Sequence, residues 1–230
     1  MPLCAPGAPP ETAMSQISRA VPPQPPAQAR QGRLIFAMDA TLSRQPTWDM
    51  AQGLQARMFE AAGRLGGLAV QLVYFRGHDE CRASRFVADG RGLATLMSKI
   101  AVAGGFTQIG KVLRHARKEA AEARIGALVF VGDAMEENID ELCGAAGELA
   151  LLGVKAFMFH EGSDAKAARA FREIARITGG AYAAFDASAA DRLAALLGAA
   201  AAYAAGGRGG LEAFATASGA DVSRLLSQIK

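Results

Sequence analysis

Leu34-Ile35-Phe36-Ala37-Met38-Asp39-Ala40-Thr41-Leu42-Ser43 is the stretch whose reading decides the fold. Its first residues form an unbroken apolar run that stops at a carboxylate, and two hydroxyls follow at alternating positions. A short apolar run without polar alternation is the mark of a strand buried on both faces, as in a parallel sheet. Polar Gln31-Gly32-Arg33 precede it and a helical pattern follows it, so it reads as the first strand of an open sheet. Asp39 then stands at the strand's carboxyl end, where α/β sheets place their ligands.

Outward from this strand the pattern alternates. Met50, Leu54, Met58, Ala61, Ala62 and Leu65 recur at helical spacing, and Gly66-Gly67 breaks the helix. Leu68 to Phe75 is a second apolar strand. Arg76-Gly77-His78-Asp79 turns the chain into a weaker strand around Ala83 to Val87, and so close a return predicts an antiparallel partner at the sheet edge. Leu93, Leu96, Met97 and Ile100 mark a short helix. Gly104-Gly105-Phe106-Thr107 is a flexible loop before a helix whose inner face is Ile109, Val112, Leu113 and Ala116. Ala127 to Val131 is a third buried strand, and it too ends at a carboxylate, Gly132-Asp133.

Further on, Ile139, Leu142, Cys143, Ala146, Leu149 and Ala150 make a helix, and Val154 to Phe159 a strand. A helix carrying Phe171, Ile174 and Ala175 follows, then a last strand entered through Gly179-Gly180 and a helix carrying Leu193, Leu196, Leu197 and Ala200. Such alternation predicts an α/β, Rossmann-like open sheet, mostly parallel with one antiparallel edge strand and helices on both faces. Residues 1–30 hold every proline but Pro46, with Ala and Gln and no apolar period, and are expected to be a disordered Pro/Ala-rich tail. Residues 31–205 form the domain. Residues 206–230 are a Gly-rich linker, Gly206-Gly207-Arg208-Gly209-Gly210, and a short C-terminal helical segment that docks on the body or on a partner.

Composition bounds the function. The 230 residues are 51% hydrophobic and 20% charged, enough for one sizeable core. A net charge of +3 without a long Lys/Arg block argues against a nucleic-acid partner. No apolar stretch has membrane length or follows a basic start as a secretory signal would, so the expectation is no membrane insertion. Cys4, Cys81 and Cys143 are odd in number and far apart, which fits a reducing, cytoplasmic setting. No Gly-x-Gly-x-x-Gly follows the first strand, and Gly104-Gly105 lacks the Gly-Lys-Ser/Thr ending of a phosphate loop.

A sheet of this kind gathers three loops at one edge: Asp39-Ala40-Thr41-Leu42-Ser43, Thr107 and Asp133. Two carboxylates and three hydroxyls, without a convergent His or Cys, suit Mg²⁺ or Mn²⁺ rather than zinc. An extended loop points Asp39, Thr41 and Ser43 to one side. Taken singly, each residue has a plainer reading. Asp39 can cap the next helix or accept from loop amides, Thr107 can be a helix N-cap, and Asp133 can form a strand-end turn. His78, His115 and His160 lie in separate segments and read as solvated or hydrogen-bonding groups, and Glu136 and Glu137 as a solvated loop.

Together the three loops resemble the von Willebrand factor A domain, whose metal-ion-dependent adhesion site is built from Asp-x-Ser-x-Ser, a Thr on a second loop and an Asp on a third. Here these read Asp39-x-Thr41-x-Ser43, Thr107 and Asp133. Thr178-Gly179-Gly180-Ala181-Tyr182 is similar to that family's entry to its last strand, and the resemblance covers roughly residues 33–203. Thr41 replaces the usual first Ser, keeping the hydroxyl and adding a methyl. The resemblance implies that Thr41, Ser43 and Thr107 ligate the metal directly and that Asp39 and Asp133 often act through water. One position is then left for a Glu or Asp of a protein partner. It implies a non-enzymatic assembly or scaffold factor, with an ATPase or chaperone-like machine among the partners that standalone members have.

Two other readings stay open on the residues. A haloacid-dehalogenase-like phosphatase would use Asp39 as nucleophile, although its Asp-x-Asp-x-Thr has Thr41 at the general-acid position. A structural subunit without metal would bind through its C-terminal segment.

Overall fold

The structure, a computed structural model, describes residues 31–41, 45–63, 65–186 and 189–230. The expected N-terminal tail, residues 1–30, and Ser43 lie outside the described residues. In chain order the elements are β1 (Gly32–Asp39), α1 (Gln45–Gly63), β2 (Leu68–Arg76), β3 (Glu80–Val87), α2 (Gly90–Met97), α3 (Ile109–Glu122) and β4 (Ala127–Gly132). They continue with α4 (Ile139–Leu151), β5 (Lys155–Glu161), α5 (Ala165–Thr178), β6 (Ala181–Phe185), α6 (Ala190–Ser218) and α7 (Ala220–Gln228). The six strands form one sheet in the order β3-β2-β1-β4-β5-β6, parallel except for β3, which runs antiparallel to β2. The fold expected from the sequence is the fold observed.

The apolar run of β1 is explained by its place between β2 and β4. Leu34, Phe36 and Met38 enter the core shared with Trp48 and Met58 of α1 and Leu193, Leu196 and Leu197 of α6. Ile35 and Ala37 point the other way, into the core shared with α3, α4 and α5, where Phe75, Phe130 and Phe171 meet. From Leu34 to Met38 both sides of the strand are dry, so no position in that run is polar until Asp39. Burying such side chains contributes roughly 1.5–3 kcal/mol each.

The strand order reverses between β1 and β4. The chain runs outward through β2 and β3 on one side and through β5 and β6 on the other. Neighbouring loops at that point leave in opposite directions and open a crevice at the carboxyl ends, the topological switch point of an open α/β sheet.

The structure departs from the sequence reading at 206–210. Where a flexible linker is expected, α6 continues as a helical hairpin bent at Gly207 (φ 61°, ψ −152°), a conformation that costs an L side chain heavily. After the bend the second arm returns along the first, with Phe214 against Gly198 and Leu211 in the core. The glycines read as a linker because composition alone does not distinguish a free segment from a tight helical corner. The C-terminal α7 then lies beside β6, burying Val222 and Leu225. Gln228 accepts from the Tyr182 N–H (2.9 Å) and donates to its carbonyl (3.1 Å), so it pairs with the outer edge of β6 as a further strand would.

Candidate metal centre at the carboxyl edge

Register places the carboxyl ends of β1 and β4 side by side. Met38 of β1 is paired with Val131 of β4, so Asp39 lies next to Gly132, and Asp133 is one residue further along. Asp39 is buried (2% exposed), and its Oδ1 accepts the Thr41 N–H at 2.8 Å. That bond makes a short Asx-type turn, which holds the buried Thr41 beside the carboxylate. Ala40 is fixed on both sides of its peptide plane, its N–H donating to the Phe75 carbonyl (3.0 Å) and its carbonyl accepting from Ala103 (3.0 Å).

The second of these bonds draws the long connection between α2 and α3 across the strand ends. Gly77 N–H donates to the Gly104 carbonyl and Phe106 N–H to the Gly77 carbonyl, both at 3.0 Å, so this connection is zipped to the end of β2. Gly105 is required there, because a Cβ would lie 2.2 Å from the Gly77 nitrogen. Thr107 follows, buried, with its hydroxyl and its N–H (3.1 Å) both donating to the Glu136 carboxylate, while the Glu136 N–H reaches back to the hydroxyl oxygen at 3.3 Å. With one proton donated and one accepted, the Thr107 oxygen keeps a lone pair for a further partner.

Glu137 continues this attachment. Its two oxygens accept the Ile109 and Gly110 N–H groups at 2.5 and 2.9 Å, closing the start of α3 where the helix itself offers no acceptors. Burial pushes its carboxyl above the usual range, and the two backbone donors pull it part of the way back. Glu136 and Glu137 thus strap the Asp133 loop to the Thr107 loop. The sequence reading takes them as a solvated loop, and the signal it lacked was the acid pair standing opposite a helix start with no cap of its own.

The Asp133 loop has a second anchor. His160, almost wholly buried on β5, faces the Asp133 carbonyl through Nε2 (3.3 Å) and the Tyr182 hydroxyl through Nδ1 (3.1 Å). Because a carbonyl only accepts, Nε2 carries the proton and Nδ1 receives one from Tyr182. Burial lowers its pKa, so the ring is held neutral. Thr47 at the start of α1 donates to Glu161 at the end of β5.

The structure therefore gathers Asp39 and Thr41 in one turn, sets Asp133 just past the end of the neighbouring strand, and ties the Thr107 loop to both neighbours; Ser43 is the member outside the described residues. Among the described residues no three His, Cys, Asp or Glu side chains converge as a metal site. The side chains on the loops at this edge offer carboxylate and hydroxyl oxygens, the donor chemistry that a hard divalent cation takes and that zinc in a sulfur or imidazole site does not.

No protein-family model and no curated protein sequence matches the chain. Solved structures do. The VWA domain of SpRpn10 superposes at a TM-score of 0.57 and 11% identity, over 71% of this chain and 95% of that one. The vWF domain of the type V pili tip protein Mfa5 from Porphyromonas gingivalis gives 0.57 and 11%, over 74% and 94%. Proximal thread matrix protein 1 from the mussel byssus, with a zinc-occupied MIDAS motif, gives 0.59 and 15%, over 74% of this chain and 46% of that one. The fold is that of a von Willebrand factor A domain.

Proposed function

We propose that this chain is a divalent-metal-dependent protein-binding module, an intracellular assembly or scaffold factor without catalytic activity of its own. Asp39, Thr41, Ser43, Thr107 and Asp133 would hold Mg²⁺ or Mn²⁺. The observation that carries this reading is the pair of strand-end aspartates at the switch point, with the Thr107 loop strapped across them by Glu136. The bound cation would supply a positive centre at the edge of the sheet. With hydroxyls rather than carboxylates as the direct donors, part of its charge stays uncompensated, and a Glu or Asp of a partner gains a charge-assisted contact there. Of the neighbours, the mussel protein carries metal in its MIDAS motif, which supports a divalent cation at the equivalent edge.

The partner class remains a protein presenting an acidic side chain, an ATPase or chaperone-like machine among the candidates. Neither alternative gains an observation. The Asp39 Oδ1 accepts from the Thr41 amide at the position where a phosphatase would carry its acid, and the apolar face of α7 is already spent on the body. No helix among the described residues is long and apolar enough to cross a membrane.

The test is Mg²⁺ and Mn²⁺ titration calorimetry on wild type and Asp39→Ala. It is paired with pull-downs from source-cell lysate by wild type in Mg²⁺, wild type in EDTA and Asp39→Ala in Mg²⁺. Binding of one cation by wild type alone, with a partner lost in both control pull-downs, is expected. Absence of saturable metal binding by the folded wild type would overturn the proposal.

A further inference from the structure

The end of α1 and the two arms of α6 leave a groove of about 730 Å³ between them. Its walls are small side chains, among them Ala61 of α1, Ala194 and Gly198 of the first arm, and the exposed Ala213 and Ala217 of the second. Alanine and glycine have no rotamer freedom to lose, so covering such a wall costs it little order. Leu65 closes one end, where a Cβ on Gly206 or Gly210 would lie 3.2 or 3.0 Å from its side chain.

The described chain starts at this same end. Gln31 Nε2 donates to the Leu68 carbonyl (3.1 Å) and the Gly32 N–H to the Gly67 carbonyl (3.1 Å), while a Cβ on Gly32 would meet the Ala204 carbonyl at 2.5 Å. Gly67 is two residues from Leu65, and Ala204 two from Gly206. Residues 1–30 therefore join the body beside the Leu65 end of the groove.

We propose that residues 11–21 of this chain occupy the groove as a helix, tethered through residues 22–30. Over its whole length the tail has no apolar period, yet between Pro10 and Pro22 it carries Met14, Ile17 and Val21. In a helix these three share one face, which the groove would bury. Eleven helical residues are about 16.5 Å long. The groove's first arm offers the same eleven steps, from Asp191 to Ala202, whose carbonyl lies 2.5 Å from a Cβ on Gly210. Residues 22–30, with Pro22, Pro23, Pro25 and Pro26, span about 28 Å in the polyproline conformation, enough to turn back from Gln31 into the groove.

Charge gives the direction. On α1, Glu60 stands about 4.5 Å nearer the Leu65 end than Arg57 does, and both line the groove. The tether holds Val21 at the Leu65 end, so Arg19 lies low, towards Glu60, and Glu11 high, towards Arg57. A short tether also keeps the segment at an effective concentration on the order of 1 mM, which favours it over a second copy of the chain. Docking here needs no metal.

The test is solution NMR on the full chain, labelled on amides and methyls, as wild type and as Ile17→Asp, a change confined to the tail. In wild type, residues 11–21 are expected to be as rigid as the body, with order parameters near about 0.85, and residues 1–8 to stay below about 0.6. Methyl NOEs are expected from Met14, Ile17 and Val21 to Ala213 and Ala217. In Ile17→Asp these NOEs are lost, residues 11–21 fall below about 0.6, and the Ala213 and Ala217 signals shift while those of β4 and β5 do not.

Order parameters below about 0.6 for residues 11–21 in wild type, or NOEs from them to another surface, would overturn the proposal. NOEs between differently labelled copies, with dimers in sedimentation, would assign the groove to a second copy and reject the tether.

Discussion

Glu137→Ala tests how the loops at the carboxyl edge of the sheet are held together. Glu137 closes the first turn of α3 with two hydrogen bonds, at 2.5 and 2.9 Å, and α3 has no side-chain cap from Gln108. At a half-buried helix start each such bond contributes about 1 kcal/mol, so deletion is expected to cost roughly 2 kcal/mol. For a chain of this size that lowers the melting temperature by about 4–8 °C. Glu137→Gln keeps one oxygen acceptor and is expected to cost about half as much.

The two variants also separate on the pH axis. Burial raises the Glu137 carboxyl above 4.5, so the folded state holds this proton more tightly than the unfolded chain. Where the folded state binds more protons, stability falls as pH rises. Wild type is therefore expected to lose stability relative to Glu137→Gln as pH climbs from about 4.5 through the raised value. Urea denaturation at stepped pH measures this, and amide exchange at Ile109 and Gly110 reports the cap locally. A loss below about 0.5 kcal/mol for Glu137→Ala, or equal losses for both variants, would refute the account.

Three further outcomes are expected. His115 donates from Nε2 to Gln71 Oε1 at 2.9 Å, and burial holds its pKa below 6.5. The unfolded chain then binds more protons, so stability should fall on acidification below about 6.5, and the difference between wild type and His115→Gln in urea melts should show that limb. Phe171 lies edge-on to Phe130 at 5.3 Å and to His160 at 5.4 Å, fully buried, and Phe171→Ala should cost about 3–5 kcal/mol by chemical denaturation. Gln228→Ala removes both bonds to the β6 edge, and should cost about 1 kcal/mol and raise self-association in light scattering, since an uncovered strand edge is a template for pairing.

The sequence alone determined the order of strands and helices, the antiparallel β3 and the two carboxylates at the ends of β1 and β4. Burial on both faces forces an uninterrupted apolar run, and its end at Asp39 or Asp133 is visible one residue at a time. Tertiary structure decided which loops touch. The bonds from Ala103 to Ala40, from Thr107 to Glu136 and from His160 to Asp133 join residues 27 to 63 positions apart. Nothing periodic marks such pairs, because each depends on where packed helices deliver the chain. The same holds for Gly206 to Gly210, a linker by composition and a helical corner once Phe214 lies against Gly198. It holds also for Gln228, an ordinary polar residue until α7 brings it to Tyr182. Local periodicity encodes which residues are buried, whereas the partners of a loop are fixed only when the whole sheet has closed around its two cores.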